Sequence, residues 1–136
     1  MTIKDDIVLW DNGKDRLSLL SVPIEQQYKY IDGIPCITFA ISYENKNYKG
    51  CDVFTLFDQF YIDTVSAIEN AYHSLNGTFR IDDVGTDTDG YVNFTMSNSR
   101  LLIKGQLGAS FSSHSLIFEF EADQTLAGIL LQMLSI

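Results

Sequence analysis

Carboxylates are the most abundant groups with chemistry to offer, and their densest run is Asp82-Asp83-Val84-Gly85-Thr86-Asp87-Thr88-Asp89-Gly90. Acids at alternate positions around glycine suit a calcium loop, because a hard cation gathers several oxygen ligands. The register fails. Setting Asp87, Asp89 and Gly90 on the EF-hand pattern puts Gly85 at the first ligand and Met96 where a bidentate Glu belongs. A strand pattern also follows, where a helix is required. Asp and Gly are equally what a hairpin connection needs, and Asp82, Asp83, Asp87 and Asp89 would then be available to a basic partner. Glu119 and Glu121 are a second pair, about 6–7 Å apart by strand rise alone, a spacing within reach of glycosidase chemistry. Catalytic acids come from unlike environments, however, and two residues on one wet strand face do not provide them. His73 and His114 have no third ligand at metal spacing. His114 sits in Ser110-Phe111-Ser112-Ser113-His114-Ser115, but no GxSxG elbow, orienting acid or phosphate-binding glycine loop accompanies it. The expectation is a protein that is not an enzyme and carries no cofactor and no metal.

The charge balance points the same way. Lys and Arg total 9 against 18 Asp and Glu, a formal charge of −9. Such a field repels phosphate backbones and anionic lipid and attracts basic proteins. Nucleic acid and membrane are therefore excluded as expected partners. The opening Met1-Thr2-Ile3-Lys4-Asp5-Asp6 lacks the apolar core of a signal peptide. No apolar run reaches the roughly 20 residues of a membrane span. Cys36 and Cys51 form neither a CxxC pair nor a disulfide framework, so a reduced, cytoplasmic protein is expected. At 136 residues with 46% apolar content, residues 1–136 are read as one domain with a real core.

Local periodicity says which elements carry these groups. Ile7 to Trp10 and Leu17 to Val22 read as strands around Asp11-Asn12-Gly13-Lys14, whose Asn-Gly step is a hairpin signal. Val22 to Gly33 has no clear period. Ile37, Phe39, Ile41 and Tyr43 then share one strand face, with a turn at Glu44 to Asn47 and a short strand from Tyr48. Thr55-Leu56-Phe57-Asp58 has capping-box spacing. Behind it, Phe57, Phe60, Tyr61, Val65, Ile68, Tyr72 and Leu75 mark one stripe of a long helix, stopped at Asn76-Gly77. Strands follow at 78–84, 91–97 and 101–107. The last places Leu116, Phe118, Phe120 and Ala122 on a dry face and Glu119 and Glu121 on a wet one. Asp123 would cap a final helix, Gln124 to about Ser135, with Leu126, Ile129, Leu130, Met133 and Leu134 inward. Tyr28, Tyr30 and Tyr91 lie in or beside turns, where tyrosine serves interfaces as well as cores. The predicted fold is α+β: a single twisted, mainly antiparallel sheet of about 6–8 strands, with the long helix and the C-terminal helix on one face.

Three segments resemble the WapI family of bacterial immunity proteins. They are the strand-to-helix unit from Tyr48-Lys49-Gly50 to Leu75-Asn76-Gly77, the strand Leu102-Ile103-Lys104-Gly105-Gln106-Leu107 with its central Gly, and the closing Leu116-Ile117-Phe118-Glu119-Phe120-Glu121-Ala122-Asp123-Gln124-Thr125. The likeness covers about two-thirds of the chain, from Tyr48 onward. Ser99-Arg100 stands where the family often has Gly-His, and the final helix is more apolar than usual, which offers either deeper burial or a surface for self-association. The resemblance implies an antidote that binds the C-terminal domain of a cognate polymorphic toxin, often a nuclease, and occludes its basic cleft. Asp82, Asp83, Asp87, Asp89, Glu119 and Glu121 are then the expected contact residues, chosen on charge density. A small-molecule or peptide binding module is the alternative.

Overall fold

The computed structural model of the chain describes residues 5–22, 30–31, 34–83 and 88–135. The stretch with Pro23 and Tyr28, the Asp32-Gly33 step and Asp87 lie outside them. The first hairpin joins β1 (Ile7–Asp11) to β2 (Arg16–Leu20). Its turn is built by side chains. Asn12 Oδ1 accepts from the N–H groups of Lys14 (2.9 Å) and Asp15 (2.7 Å), while Gly13 takes φ +84°, which only glycine adopts freely. The long β4 (Ile34–Glu44) pairs with β2, with the two-residue β3 (Tyr30–Ile31) and with β5 (Lys49–Phe57), all antiparallel. Its turn repeats the device, with Asn45 Oδ1 accepting from Asn47 and Tyr48 N–H at 2.9 and 2.8 Å.

Helix α1 (Asp58–Ser74) then carries the chain to a second sheet, β6 (Asn76–Asp82), β7 (Tyr91–Ser97), β8 (Arg100–Leu107) and β9 (Leu116–Asp123), in that spatial order. Helix α2 (Gln124–Leu134) closes the chain. The class is α+β, but the single sheet expected from the sequence is two. Among the described residues no ladder joins the five-stranded sheet to the four-stranded one. Their dry faces meet instead. Tyr43 of β4 stacks on Phe118 of β9 at 4.3 Å between centroids and on Phe120 at 5.6 Å. The helix pair touches both sheets, α1 against β4, β5 and β6, and α2 against β1 and β9. One contiguous cluster therefore holds Phe39 and Phe54 from the first sheet, Phe94 and Ile103 from the second, and Ile68 and Leu130 from the helices.

Other boundaries moved for local reasons. Thr55 does not cap α1. It stays in the ladder opposite Thr38, their hydroxyl oxygens 3.2 Å apart, and the helix starts at Asp58 with no side-chain cap. Cross-strand pairing of β-branched residues prevailed over the capping box. At the other end Leu75, not Gly77, adopts the left-handed conformation (φ +58°), and Asn76-Gly77 already belongs to β6. Phe60 and Leu75 leave the expected stripe for solvent, Phe60 being 55% exposed. In α2, Leu126, Ala127, Leu130 and Leu134 are buried, with Ile129 and Met133 partly so, and its apolar excess goes into the core. Among the described residues no helix is long and apolar enough to cross a membrane.

Candidate functional site

The outer face of the second sheet and the loops at one of its ends hold the carboxylates singled out by charge. Inward and outward residues alternate along most of this sheet. Phe79, Phe94, Ile103 and Phe120 form one inward row, and Arg80, Asn93, Lys104 and Glu119 the next outward one. Thr78, Thr95, Leu102 and Glu121 follow, outward again. Glu119 and Glu121 are thus exposed on the wet face, but Glu119 lies in register with Lys104. Asp82 is engaged by Arg80, whose Nε donates to Oδ1 at 2.6 Å. That guanidinium also lies 4.1 Å above the Tyr91 ring. The wet face is a mosaic of both signs, not the acidic plate that counting carboxylates suggests.

The loop acids divide. Asp83 turns inward and is only 6% exposed, so it cannot present its carboxyl to a partner in this conformation. Its Oδ2 accepts from the Thr88 hydroxyl, and its backbone N–H closes the β6–β7 connection on Gly90 O at 3.0 Å. Asp89 is exposed but occupied. Its carboxylate accepts from the Ser110 N–H (2.7 Å), the Ser110 hydroxyl and Gln106 Nε2 (2.9 Å). Donation by the Ser110 hydroxyl, and then by its backbone N–H, holds the Asp89 carboxyl below its ordinary value. The acid thus ties the β6–β7 connection to the β8–β9 loop. Asp87 lies outside the described residues, so of the six expected contact acids Asp82, Glu119 and Glu121 are the ones on the outer face.

One acid that charge density passed over is central. Asp52 of β5 sits between Gly50 and Phe54 on the inner face of the first sheet. Its Oδ1 accepts from its neighbour Val53 N–H at 2.8 Å, and its Oδ2 from the N–H of Gly108, just past β8, at 3.0 Å. The signal was present in the sequence, because Gly50, Asp52, Phe54 and Leu56 alternate as a dry row with one carboxylate in it. Burial, more than the Asp83 charge beside it, raises the Asp52 carboxyl above its ordinary value against the Gly108 donor.

Large apolar groups also surface at this end. Tyr48 is 63% exposed, Phe111 78% and Ile117 75%. Tyr48, His114 and Leu116 border one shallow depression, while Tyr91, Ile117 and Glu119 border another. The His114 backbone N–H donates to Ser112 Oγ at 3.1 Å, so that serine serves the turn. His73 is exposed in the last turn of α1. Cys36 is buried and Cys51 exposed, and neither takes part in a disulfide. Among the described residues no group of three or more His, Cys, Asp or Glu is placed to hold a metal ion. No family model, curated protein or solved structure matches the chain.

Proposed function

We propose that the chain is a stoichiometric inhibitor, an immunity protein that docks on the basic cleft of a toxin domain, a nuclease, and excludes its substrate without turnover. The observation that carries this reading is the exposure of Tyr48, Phe111 and Ile117, on the β4–β5 turn, the β8–β9 connection and β9, with Ile117 bordering the same depression as Glu119. Exposed aromatic and aliphatic anchors with a polar rim are the usual composition of a protein-binding surface. The formal charge of −9 favours encounter with a basic partner and disfavours nucleic acid. The contact set is therefore Phe111, Ile117 and Tyr48 as anchors, with Asp82, Glu119 and Glu121 as charged rim. Asp83 and Asp89 act inside the loop end, holding it in shape.

The test is calorimetric titration of the C-terminal domain of the toxin encoded beside this gene, at low and at high salt. Phe111→Ala should weaken binding by about tenfold or more, since a buried aromatic anchor is typically worth above about 1.4 kcal/mol. The combined variant Asp82→Asn, Glu119→Gln, Glu121→Gln should flatten the salt dependence. No heat with the wild-type chain sinks the toxin assignment. Unchanged affinity in both variants moves the contact to another face.

A further inference from the structure

Two carboxyls meet where β5, the end of β6 and the end of β8 converge. Asp52 reaches this point from the first sheet and Asp83 from the second. Among the described residues neither takes part in an ion pair. Asp83 is 6% exposed, and among the described residues its buried Oδ1 meets no N–H or O–H donor. Thr88 serves its other oxygen. Gly90 stands between the two acids. Its carbonyl takes the Asp83 N–H, and Asp52 Oδ2 occupies the space that a Cβ at residue 90 would need. Both acids are thus brought to the same residue, Gly90, and the Asp83 carboxyl acts on that of Asp52 through its charge and its side-chain hydrogen bonding.

Two ionised carboxylates so placed repel in a site that water screens poorly, whereas one proton converts the contact into a charge-assisted O–H···O bond. That proton is also the donor Asp83 Oδ1 lacks, and an unanswered buried acceptor is costly. We propose that Asp52 and Asp83 share a single proton and form a clasp between the two sheets, which opens when the pair becomes fully ionised. Among the described residues the other titratable or charged groups on the converging segments are Lys49 and Cys51 on β5, Arg80 and Asp82 on β6, Asp89 on the β6–β7 connection, Arg100 and Lys104 on β8 and His114 beyond Gly108. The Asp89 carboxylate is already satisfied by Ser110 and Gln106.

The direction of the pH effect follows. A carboxyl raised above its ordinary value of 3.8 binds its proton more tightly folded than unfolded. Its stabilisation is therefore complete below 3.8 and disappears as pH rises through the folded value. The two measurements are carboxyl carbon-13 NMR titration of the full chain and thermal unfolding against pH. Both are made with wild type, Asp52→Asn and Asp83→Asn, and with calcium or magnesium added at neutral pH. The expected result is one of the two assigned carboxyls titrating above the ordinary carboxylate range. The wild-type midpoint of unfolding should fall across that titration, and the fall should be smaller in Asp52→Asn, whose amide N–H replaces the proton. Ordinary titration of both carboxyls overturns the clasp, and the wild-type spectrum decides this even if a variant fails to fold. A cation that raises the wild-type midpoint but not that of Asp52→Asn also overturns it, making the pair a metal site.

Discussion

Gly105 shows how one residue can set an interface. It lies in β8 opposite Phe118, and a Cβ there would stand 2.6 Å from Phe118 Cε1. The ring cannot withdraw, because Tyr43 of the other sheet stacks on it. The central Gly of the Leu102–Leu107 segment is thus explained by packing between sheets. Gly105→Ala should destabilise by about 1–3 kcal/mol through overpacking, readable as a lower urea midpoint with an unchanged slope. Asp89 offers a second check at this scale. Its carboxyl is held below the ordinary value of 3.8, so the stabilisation is present above 3.8 and lost as pH falls through the lower folded value. The stability difference between wild type and Asp89→Asn should shrink over that acid window. A constant difference would mean that the ionised form is not what ties the loops.

Among the elements, the β9–α2 joint is the one most fully legible in the sequence. Period-two alternation stops at Asp123, whose Oδ1 accepts from Thr125 N–H at 2.9 Å, and Gln124 N–H reaches Ser99 O at 3.1 Å. Asp123→Ala should cost about 1 kcal/mol, the usual worth of an N-cap, measured by thermal unfolding. No loss would show that Ser99 alone fixes the helix start. Helix α1 is less fully legible. Its centre is right, since Ile68 has 0% exposure. Ile68→Asp should destabilise by about 3 kcal/mol or more by burying an unpaired carboxylate, and soluble, cooperatively folding protein at wild-type stability would contradict its place in the core. Its ends differ from the expectation because Thr55 and Asn76-Gly77 carry helix-boundary signals that the strands on either side use instead. A capping residue and a strand residue look alike until the neighbouring strand is known.

For the molecule as a whole, the −9 charge and the geometry describe different things. The three ion pairs among the described residues, Arg16–Asp11, Lys49–Glu44 and Arg80–Asp82, are all substantially exposed and short-range in sequence. Such pairs contribute little, so self-repulsion should dominate the salt response. Raising the salt concentration is expected to raise the unfolding midpoint by screening it. A midpoint that falls with salt would show that attractive pairs matter more than net charge.

The sequence by itself determined the α+β class, most of the strands, which residues of β4 and β9 are dry, and the turn chemistry at Asn12-Gly13. These depend on backbone preferences and on a period that each segment carries alone. Only the tertiary structure decided what covers the dry faces, and here that is a second sheet together with the helices. Alternation records that a face is hidden from water and says nothing of its partner. The same limit applied to the acids. Charge density treated Asp82 and Asp83 as equals and missed Asp52, because whether a carboxylate meets solvent, a donor or another carboxyl is settled by segments distant in sequence.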